Sequence, residues 1–264
     1  MEEDGRSAGR KYSSGDEQLR IWTLSVAVLA CAAAGFLPLR ADELSDLRAR
    51  IRQATAGLKD MKATVVVTQS NRRELEKMGK VFAETYEFKK ASVWFKSPDK
   101  LKMSGALGMM KVEFITAGNT RLIRIPSMRF TKREDISDSP QIHVTSLDIG
   151  VVSEGVWGIY KVKLLQTEKN DTGGSVHVLR LQAEKTGRSQ VVWVDGATLK
   201  LLRRDKLHDT GRLLIRVDYS DHKQIDGVWI PTKAEVYNGE KKIAAVTETR
   251  DIKINTGVDD KEFE

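Results

Sequence analysis

An alternation of apolar and polar residues with a period of two, running from near Lys62 to the C-terminus, constrains this chain more than any other feature. Ile215 and Val217, for example, alternate with Arg216 and Asp218. Such alternation places one face of a strand against an apolar interior and the other against water. Turn-forming residues interrupt it at short intervals, at 97–99, 117–119, 126–127, 171–174, 195–196, 209–211, 226–227 and 238–239. About ten strands joined by short turns predict an antiparallel meander.

Few helical patterns accompany these strands. Residues 42–61 carry apolar residues at spacings of three and four, as at Leu44, Leu47 and Ile51, which predicts an amphipathic helix packed on the sheet. The absence of helices that alternate with the strands argues against a doubly wound α/β fold. The prediction is a mainly β fold with a few helices (α+β), built as a strongly curved antiparallel sheet or half-open barrel.

The central residues 131–161 fit neither a clean strand nor a clean helix. They predict one or two short helices that interrupt the meander and lie over an end of the sheet. Within them, Val144 to Tyr160 is rich in apolar residues; if exposed, this stretch would favour aggregation, so we expect it to be buried in the free protein. We interpret it as a lid over the mouth of the barrel, with Trp157 as the largest plug. The predicted lid residues are Leu147, Ile149, Val152, Val156, Trp157 and Tyr160.

The N-terminus has the pattern of an export signal. Residues 21–39 lack charges, basic residues precede them, and Ala41 supplies a small residue before Asp42. We predict a signal peptide over 1–41 and a single domain over 42–264. Two alternatives stay open, which are an uncleaved membrane anchor and lipidation at Cys31. Cys31 is the only cysteine, so an intramolecular disulfide and a cysteine-based zinc site are excluded.

Sequence motifs for catalysis and cofactor binding are absent. The chain after residue 41 contains no HExxH, GxSxG, Walker or GxGxxG motif. Its four histidines, His143, His177, His208 and His222, are far apart, and we expect them to be solvated at the surface. The net charge of +7 comes from interspersed charges without an aromatic-rich basic strand, which disfavours nucleic acid as a partner. We therefore expect no catalytic residue, metal or cofactor.

Methionine is concentrated in one region between Met103 and Met128. Methionine fills irregular space and repacks around variable partners. One interpretation is an ordinary core; the other is the wall of a cavity that accepts acyl chains. The predicted cavity residues are Trp94, Leu101, Met103, Leu107, Met110, Val112, Phe114, Ile123, Ile125, Met128 and Phe130.

The C-terminal half carries further motifs, strongest over 190–263. They are Trp193-Val194-Asp195, a turn with Gly211, DGVWIP over 226–231, an Asn-x-Gly-x-Asp run over 255–259 and the terminal Phe263. Earlier in the chain, a Pro-containing turn leads into a strand over 97–102, and Ala-Gly-Asn occupies a turn over 117–119. With these motifs the chain resembles the LolA-like outer-membrane lipoprotein-sorting proteins. It departs from that family at Lys102, where the family commonly has arginine, and at 117–119, where the family usually has an Asp-Gly turn.

The resemblance implies a half-open antiparallel barrel that is lined with apolar side chains and covered by helices. It also implies a function in the periplasm of a Gram-negative bacterium. The expected role is that of a carrier, which takes acyl chains of lipoproteins or lipids from inner-membrane donor proteins to outer-membrane acceptors. Two other classes remain as alternatives. One is a membrane-associated lipid-sensing module of the cell envelope, and the other is an envelope lipid hydrolase, which would need a Ser, a His and a carboxylate together in the cavity.

Overall fold

One large antiparallel sheet organises the computed structural model, which describes residues 37–139, 142–183 and 188–264. Its thirteen strands follow the order β6-β5-β4-β3-β2-β1-β15-β14-β11-β10-β9-β8-β7, and β12 and β13 form a separate hairpin. The sheet is strongly curved and not closed, as predicted. The strands are β1 (Asp60–Ser70), β2 (Lys90–Lys96), β3 (Lys100–Leu107), β4 (Met110–Ala117), β5 (Thr120–Ile125), β6 (Phe130–Asp135), β7 (Lys161–Lys169), β8 (Ser175–Gln182), β9 (Ser189–Asp195), β10 (Leu201–Leu207), β11 (Leu213–Ser220), β12 (Lys223–Ile225), β13 (Val228–Ile230), β14 (Lys233–Asn238) and β15 (Ile243–Ile254).

The strand order has a simple logic along the chain. The first strand, β1, and the last, β15, pair at the centre of the sheet, as in the contact of Met61 with Ile254. From β1 the chain moves outward strand by strand to the edge strand β6, and from the other edge strand, β7, it returns to the centre. The connection between Asp135 and Lys161 therefore links the two edges of the same sheet, and we call its described residues 142–160 the central segment.

The residue pairing defines two faces. We call the face that carries Ala63 of β1, Val93 of β2, Met103 of β3, Phe114 of β4 and Ile123 of β5 the inner face, because these residues follow one another across the sheet. The same face continues through β15, β14 and β11 to β10, β9 and β8. The opposite face is the outer face.

Helices and the central segment cover parts of the inner face. Helix α1 (Leu37–Thr55) contributes Leu47 and Ile51 to a core with β8, β9 and the central segment. Helices α2 (Arg72–Glu76) and α3 (Lys80–Thr85) cover β14 and β15, where Leu75 packs against Val236. The central segment forms a 3-10 turn at Ser146–Ile149 and helix α4 at Val156–Ile159. Further 3-10 turns lie at Pro126–Met128 and Asp260–Phe263.

Several local predictions differ from the structure. Helix α1 ends at Thr55, so the predicted helix over 42–61 is too long; its last two residues start β1 instead. The described part of the chain has fifteen strands where the alternation predicted about ten. The short helices α2 and α3 were not predicted, because five or six residues give too few turns for a helical period to emerge. The predicted breakers do separate strands.

The predicted leader lies almost wholly outside the described residues. Of residues 1–41, the structure describes only 37–41, at the start of α1. Residues 43–264 form one compact unit. Cleavage before Asp42 and lipidation at Cys31 both stay predictions.

Candidate functional site

Strand pairing brings most of the predicted cavity residues together on the inner face of β3 to β6. Met103 lies opposite Phe114, Phe114 opposite Ile123, and Leu107 opposite Met110. Nine of the eleven predicted residues share this face; they are Leu101, Met103, Leu107, Met110, Val112, Phe114, Ile123, Ile125 and Phe130. We call this surface the open half of the inner face.

Two predicted residues lie elsewhere. Trp94 is on the outer face of β2, where it packs in one cluster with Phe263 and where the Lys102 amine lies 5.1 Å from its ring centroid. Met128 is in the 3-10 turn between β5 and β6, with 63% of its surface exposed. The period of two correctly places Trp94 on the opposite face of β2 from Val93 and Phe95, but it does not show which of the two sides faces the interior of the curved sheet.

Only part of the open half is sealed. Phe88, which is buried, lies over it with its ring centroid 5.9 Å from that of Phe114. A side chain at Gly105 would collide with this ring, because a Cβ there would come within 2.7 Å of Phe88, so the glycine lets the ring lie directly on the strand. Beyond Phe88 the face opens to solvent: Met110 and Phe130 are 42% and 46% exposed. The open half is thus an apolar surface that is incompletely covered.

Two cavities found in the described part of the chain lie outside the open half. One, of about 180 Å³, lies between the end of α1, β2 and the central segment, and Arg52, Ser97 and Glu154 are among its lining residues. The other, of about 290 Å³, lies beside Lys233 and Arg250. Both are below the roughly 300–1,000 Å³ of typical ligand pockets. None of the predicted cavity residues lines either of them.

The central segment lies over the other part of the inner face. Five of the six predicted lid residues are buried, and they are Leu147, Ile149, Val152, Val156 and Tyr160. Four of these pack with Leu179 and Val192, on a surface that we call the closed half, the inner face of β7 to β10. Trp157 is partly buried at the margin of this core, beneath the Arg48 guanidinium 5.5 Å from its ring centroid. One predicted lid residue and one predicted cavity residue meet in a second core cluster: Ile149 belongs to it, and Leu101 packs against it.

A buried arginine ties the central segment to the sheet. Arg204 of β10 points along the inner face and donates hydrogen bonds to Gln190 Oε1 (2.6 Å), to the Leu147 carbonyl oxygen (3.0 Å) and to Asp148 Oδ1 (2.9 Å). The Asp148 carboxylate also accepts from the Thr145 amide at 3.0 Å, which closes a capping box on the 3-10 turn. These bonds satisfy a buried charge and fix the segment in place.

The charges of this cluster are unequal. Burial by itself would raise the pKa of Asp148, but the positive charge of Arg204 outweighs burial and lowers it. Burial by itself would lower the pKa of Arg204, but Asp148 and two tyrosines outweigh burial and raise it. Lys206, two residues along the same face, is half-buried, and its side-chain amine makes no hydrogen bond or ion pair with the residues that the structure describes. Repulsion from Arg204, and then burial, lowers the pKa of Lys206 to about 8.

The histidine prediction is wrong at His177, which is buried on the inner face of β8 because its strand lies beneath α1. Its Nδ1 lies 3.1 Å from Thr167 Oγ1 and 3.5 Å from Glu43 Oε1, and the threonine hydroxyl donates directly to that carboxylate at 2.5 Å. A hydrolytic triad needs the hydroxyl and the carboxylate on opposite ring nitrogens. Here both approach the same nitrogen, so the arrangement is not a triad.

Within residues 37–139, 142–183 and 188–264, no group of three potential metal ligands is found. The same ranges contain no helix that is long and apolar enough to cross a membrane.

Comparison with known proteins bears on this architecture. A protein-family model described as an uncharacterized protein matches residues 144–264. No curated protein matches the chain. Solved structures do. A LolA superfamily protein from Nitrosomonas europaea aligns with a TM-score of 0.58 at 17% identity, over 85% of this chain and 97% of its own. The chain has a LolA-like fold.

Two further structures support this assignment. A DUF1329 family protein from Desulfovibrio piger aligns with a TM-score of 0.55 at 18% identity, over 85% of this chain and 97% of its own. A structure described as an outer-membrane lipoprotein-sorting protein domain from Vibrio parahaemolyticus aligns with a TM-score of 0.53 at 16% identity, over 84% and 95%. At these identities the LolA-like fold is shared, and the functional residues of this chain have to be argued from its own geometry.

Two residues that shape the inner face, Phe88 and Arg204, were not predicted from the sequence. Phe88 lies in the short loop before β2, where no strand or helical period marks it. Arg204 stands in an Arg-Arg-Asp-Lys run within a strand, where the alternation does contain a signal: an inward-facing arginine breaks the apolar face and demands a buried partner. That partner, Asp148, is 56 residues away in sequence.

Proposed function

We propose that this protein is a periplasmic carrier, which binds acyl chains of lipoproteins or lipids along the open half of the inner face. The observation that carries the proposal is the alignment of nine methionine, aromatic and aliphatic residues on one incompletely covered face. Such a face can be completed by a flexible apolar ligand, because methionine side chains adapt their shape. The LolA-like fold and the export pattern of residues 1–41 support the same role.

The exposure of this face suits a carrier that releases its cargo. An acyl chain of about 15 methylenes gains roughly 12 kcal/mol if it is fully removed from water, at ~0.8 kcal/mol each. Full enclosure on that scale would make release slow. The open half covers one side of a chain and leaves the other to solvent or to the next protein, so only part of this energy is gained. Handover from an inner-membrane donor to an outer-membrane acceptor needs no catalytic group.

The central segment supplies a lid in this proposal. Its contact with the open half is at Leu101, close to Ile149, so a short chain fits beside the segment without disturbing it. A longer chain that continues along the inner face beyond Leu101 meets the segment and has to displace it. Lifting the segment breaks the contacts of Arg204 with Leu147 and Asp148, and therefore the cost of opening limits how deeply a chain enters.

Binding of dansyl-undecanoic acid, followed by fluorescence, tests the carrier proposal. Met110→Asp and Phe114→Asp place a charge beside the bound chain, and we expect at least tenfold weaker binding from each. Met110 is 42% exposed, so its aspartate can be hydrated in the free protein and the variant should fold. Leu214→Asp is the matched control, since Leu214 is half-buried on the outer face of β11.

Three outcomes decide the test. Weaker binding by the inner-face variants alone, at unchanged urea midpoints, supports the proposal. Equal binding by all three variants contradicts it. Loss of folding in Phe114→Asp together with unchanged binding in Met110→Asp identifies this face as ordinary core. Native mass spectrometry of lipids that co-purify from the periplasm would then name the cargo.

A further inference from the structure

Four large apolar side chains are exposed at one end of the open half. Met109, at the β3–β4 turn, is fully exposed; Met110, Met128 and Phe130 are 42%, 63% and 46% exposed. Met110 starts β4 and pairs with Leu107, while Phe130 starts β6 and pairs with Ile125. The turn that holds Met128 packs against β4. We call these four residues the apolar tip.

Cations surround the apolar tip. The stretches 107–112 and 124–133, which form its two turns, contain no Asp or Glu, and their basic residues are Lys111, Arg124, Arg129, Lys132 and Arg133. Lys111 and Lys132 pair with Glu113 and Glu134 of their own strands, at 3.0 and 2.6 Å, and Arg124 pairs with Glu113 at 3.8 Å. Arg129 and Arg133 are exposed and form no ion pair with any residue that the structure describes. The end of the sheet therefore presents apolar groups surrounded by basic residues, of which Arg129 and Arg133 are free to contact a partner.

This combination matches a lipid surface better than a protein surface. Methionine, aromatic residues and arginine also occur often in protein interfaces, but a protein partner would have to place matching carboxylates opposite Arg129 and Arg133. An anionic bilayer, in contrast, offers phosphate groups to the cations and a hydrocarbon layer to apolar side chains that protrude between them. Unbranched methionine side chains can enter such a layer without a preformed pocket.

We propose that the apolar tip docks the protein on membranes that contain anionic lipids, with Met109 and Met128 entering the acyl layer and Arg129 and Arg133 contacting the headgroups. The proposal goes beyond the carrier role, because docking requires no cargo. It also gives that role a route. Met110 and Phe130 belong both to the apolar tip and to the open half, so a docked protein brings its apolar face to the bilayer surface.

A fluorescent label at the tip tests docking directly. In full-length protein with Cys31→Ser, Met109→Cys labelled with an NBD maleimide should shift to the blue when vesicles of phosphatidylcholine and phosphatidylglycerol are added. Asn119→Cys is the matched control, because Asn119 is also exposed but lies in the β4–β5 turn, at the opposite end of β4 from Met110. We expect no shift there. Because the readout is local, contact of residues 1–41 with the vesicles does not mimic it.

Charge variants test the basic residues around the tip. Arg129→Gln with Arg133→Gln should weaken vesicle binding at least fivefold, and added salt should weaken the unmodified protein similarly. Lys161→Gln with Lys163→Gln removes the same charge from the opposite edge strand, β7, and should have little effect. An unshifted label at position 109, or equal effects of the two charge pairs, would overturn the proposal.

A protein partner gives a different result. If the label at position 109 responds to native envelope vesicles but not to protein-free lipid vesicles, the tip binds a protein and membrane docking is wrong. Binding of dansyl-undecanoic acid is measured without vesicles, so a failure of docking and a failure of the carrier proposal are distinguished.

Discussion

The closed half and the open half of the inner face have the same strand pattern, but they differ in how completely they are covered. In the closed half, Leu179, Leu181, Val192 and Val194 are fully buried beneath α1 and the central segment. In the open half, Val112 is buried, but Met103, Phe114 and Ile123 at equivalent positions are partly exposed, and the main cover is one ring, that of Phe88. Burial of apolar side chains on folding stabilises the protein, whereas apolar surface that stays exposed can still be removed from water when a ligand binds. The comparison therefore separates a stabilising half from a binding half.

The largest expected difference between the two halves is in the free energy of unfolding that is lost on matched alanine substitutions. Leu179→Ala leaves a cavity in the closed half and should lower the free energy of unfolding by about 3 kcal/mol. Ile123→Ala removes a half-exposed side chain in the open half and should cost about 1 kcal/mol. Urea unfolding measures both. Equal losses would show that the open half is as well packed as the closed half, which would remove the basis for a binding face.

The pH dependence of stability sharpens the description of the closed half. The pKa of Lys206 falls from its usual value near 10.4 to about 8 in the folded protein, so the unfolded chain binds more protons between these values and stability rises with pH there. Below pH 8 the ammonium carries its full penalty. Lys206→Met should thus be more stable than the unmodified protein by on the order of 2 kcal/mol at pH 7.

This advantage should shrink as the pH approaches 10. Because exposed lysines are common to both proteins, their titration cancels in the difference between the two urea curves. Lys163→Met, at an exposed position of β7, is the control. A stability difference that does not change between pH 7 and 9.5 would mean that Lys206 is fully hydrated in the folded state.

The smallest effect concerns the lid itself, where Trp157 lies at the margin of the core of the closed half. In a variant with the other tryptophans replaced by phenylalanine, its emission should shift to the red by a few nanometres when a long-chain fatty acid binds, because the lifted segment exposes the ring. Trp157→Ala should raise the affinity about threefold, since less lid contact has to be broken. If emission and affinity both stay unchanged at saturating ligand, the central segment is a fixed part of the core.

The alternation and turn residues of this sequence determined the mainly β fold, the antiparallel order and the position of most turns. Each of these depends on local geometry, because a strand period and a turn residue act within a few positions of the chain. The same alternation placed Met103, Phe114 and Ile123 on a common face, since neighbouring strands of a meander keep their register through short turns.

What only the tertiary structure decided is the coverage of that face. Strand pairing fixes which side chains share a face, but the burial of Phe88, His177 and Arg204 depends on which helix or segment lies above them. Asp148 reaches Arg204 only because the chain crosses between the two edges of the curved sheet. Such contacts join residues far apart in sequence, and no local pattern encodes them. The difference between an open and a closed half is therefore a property of the folded molecule.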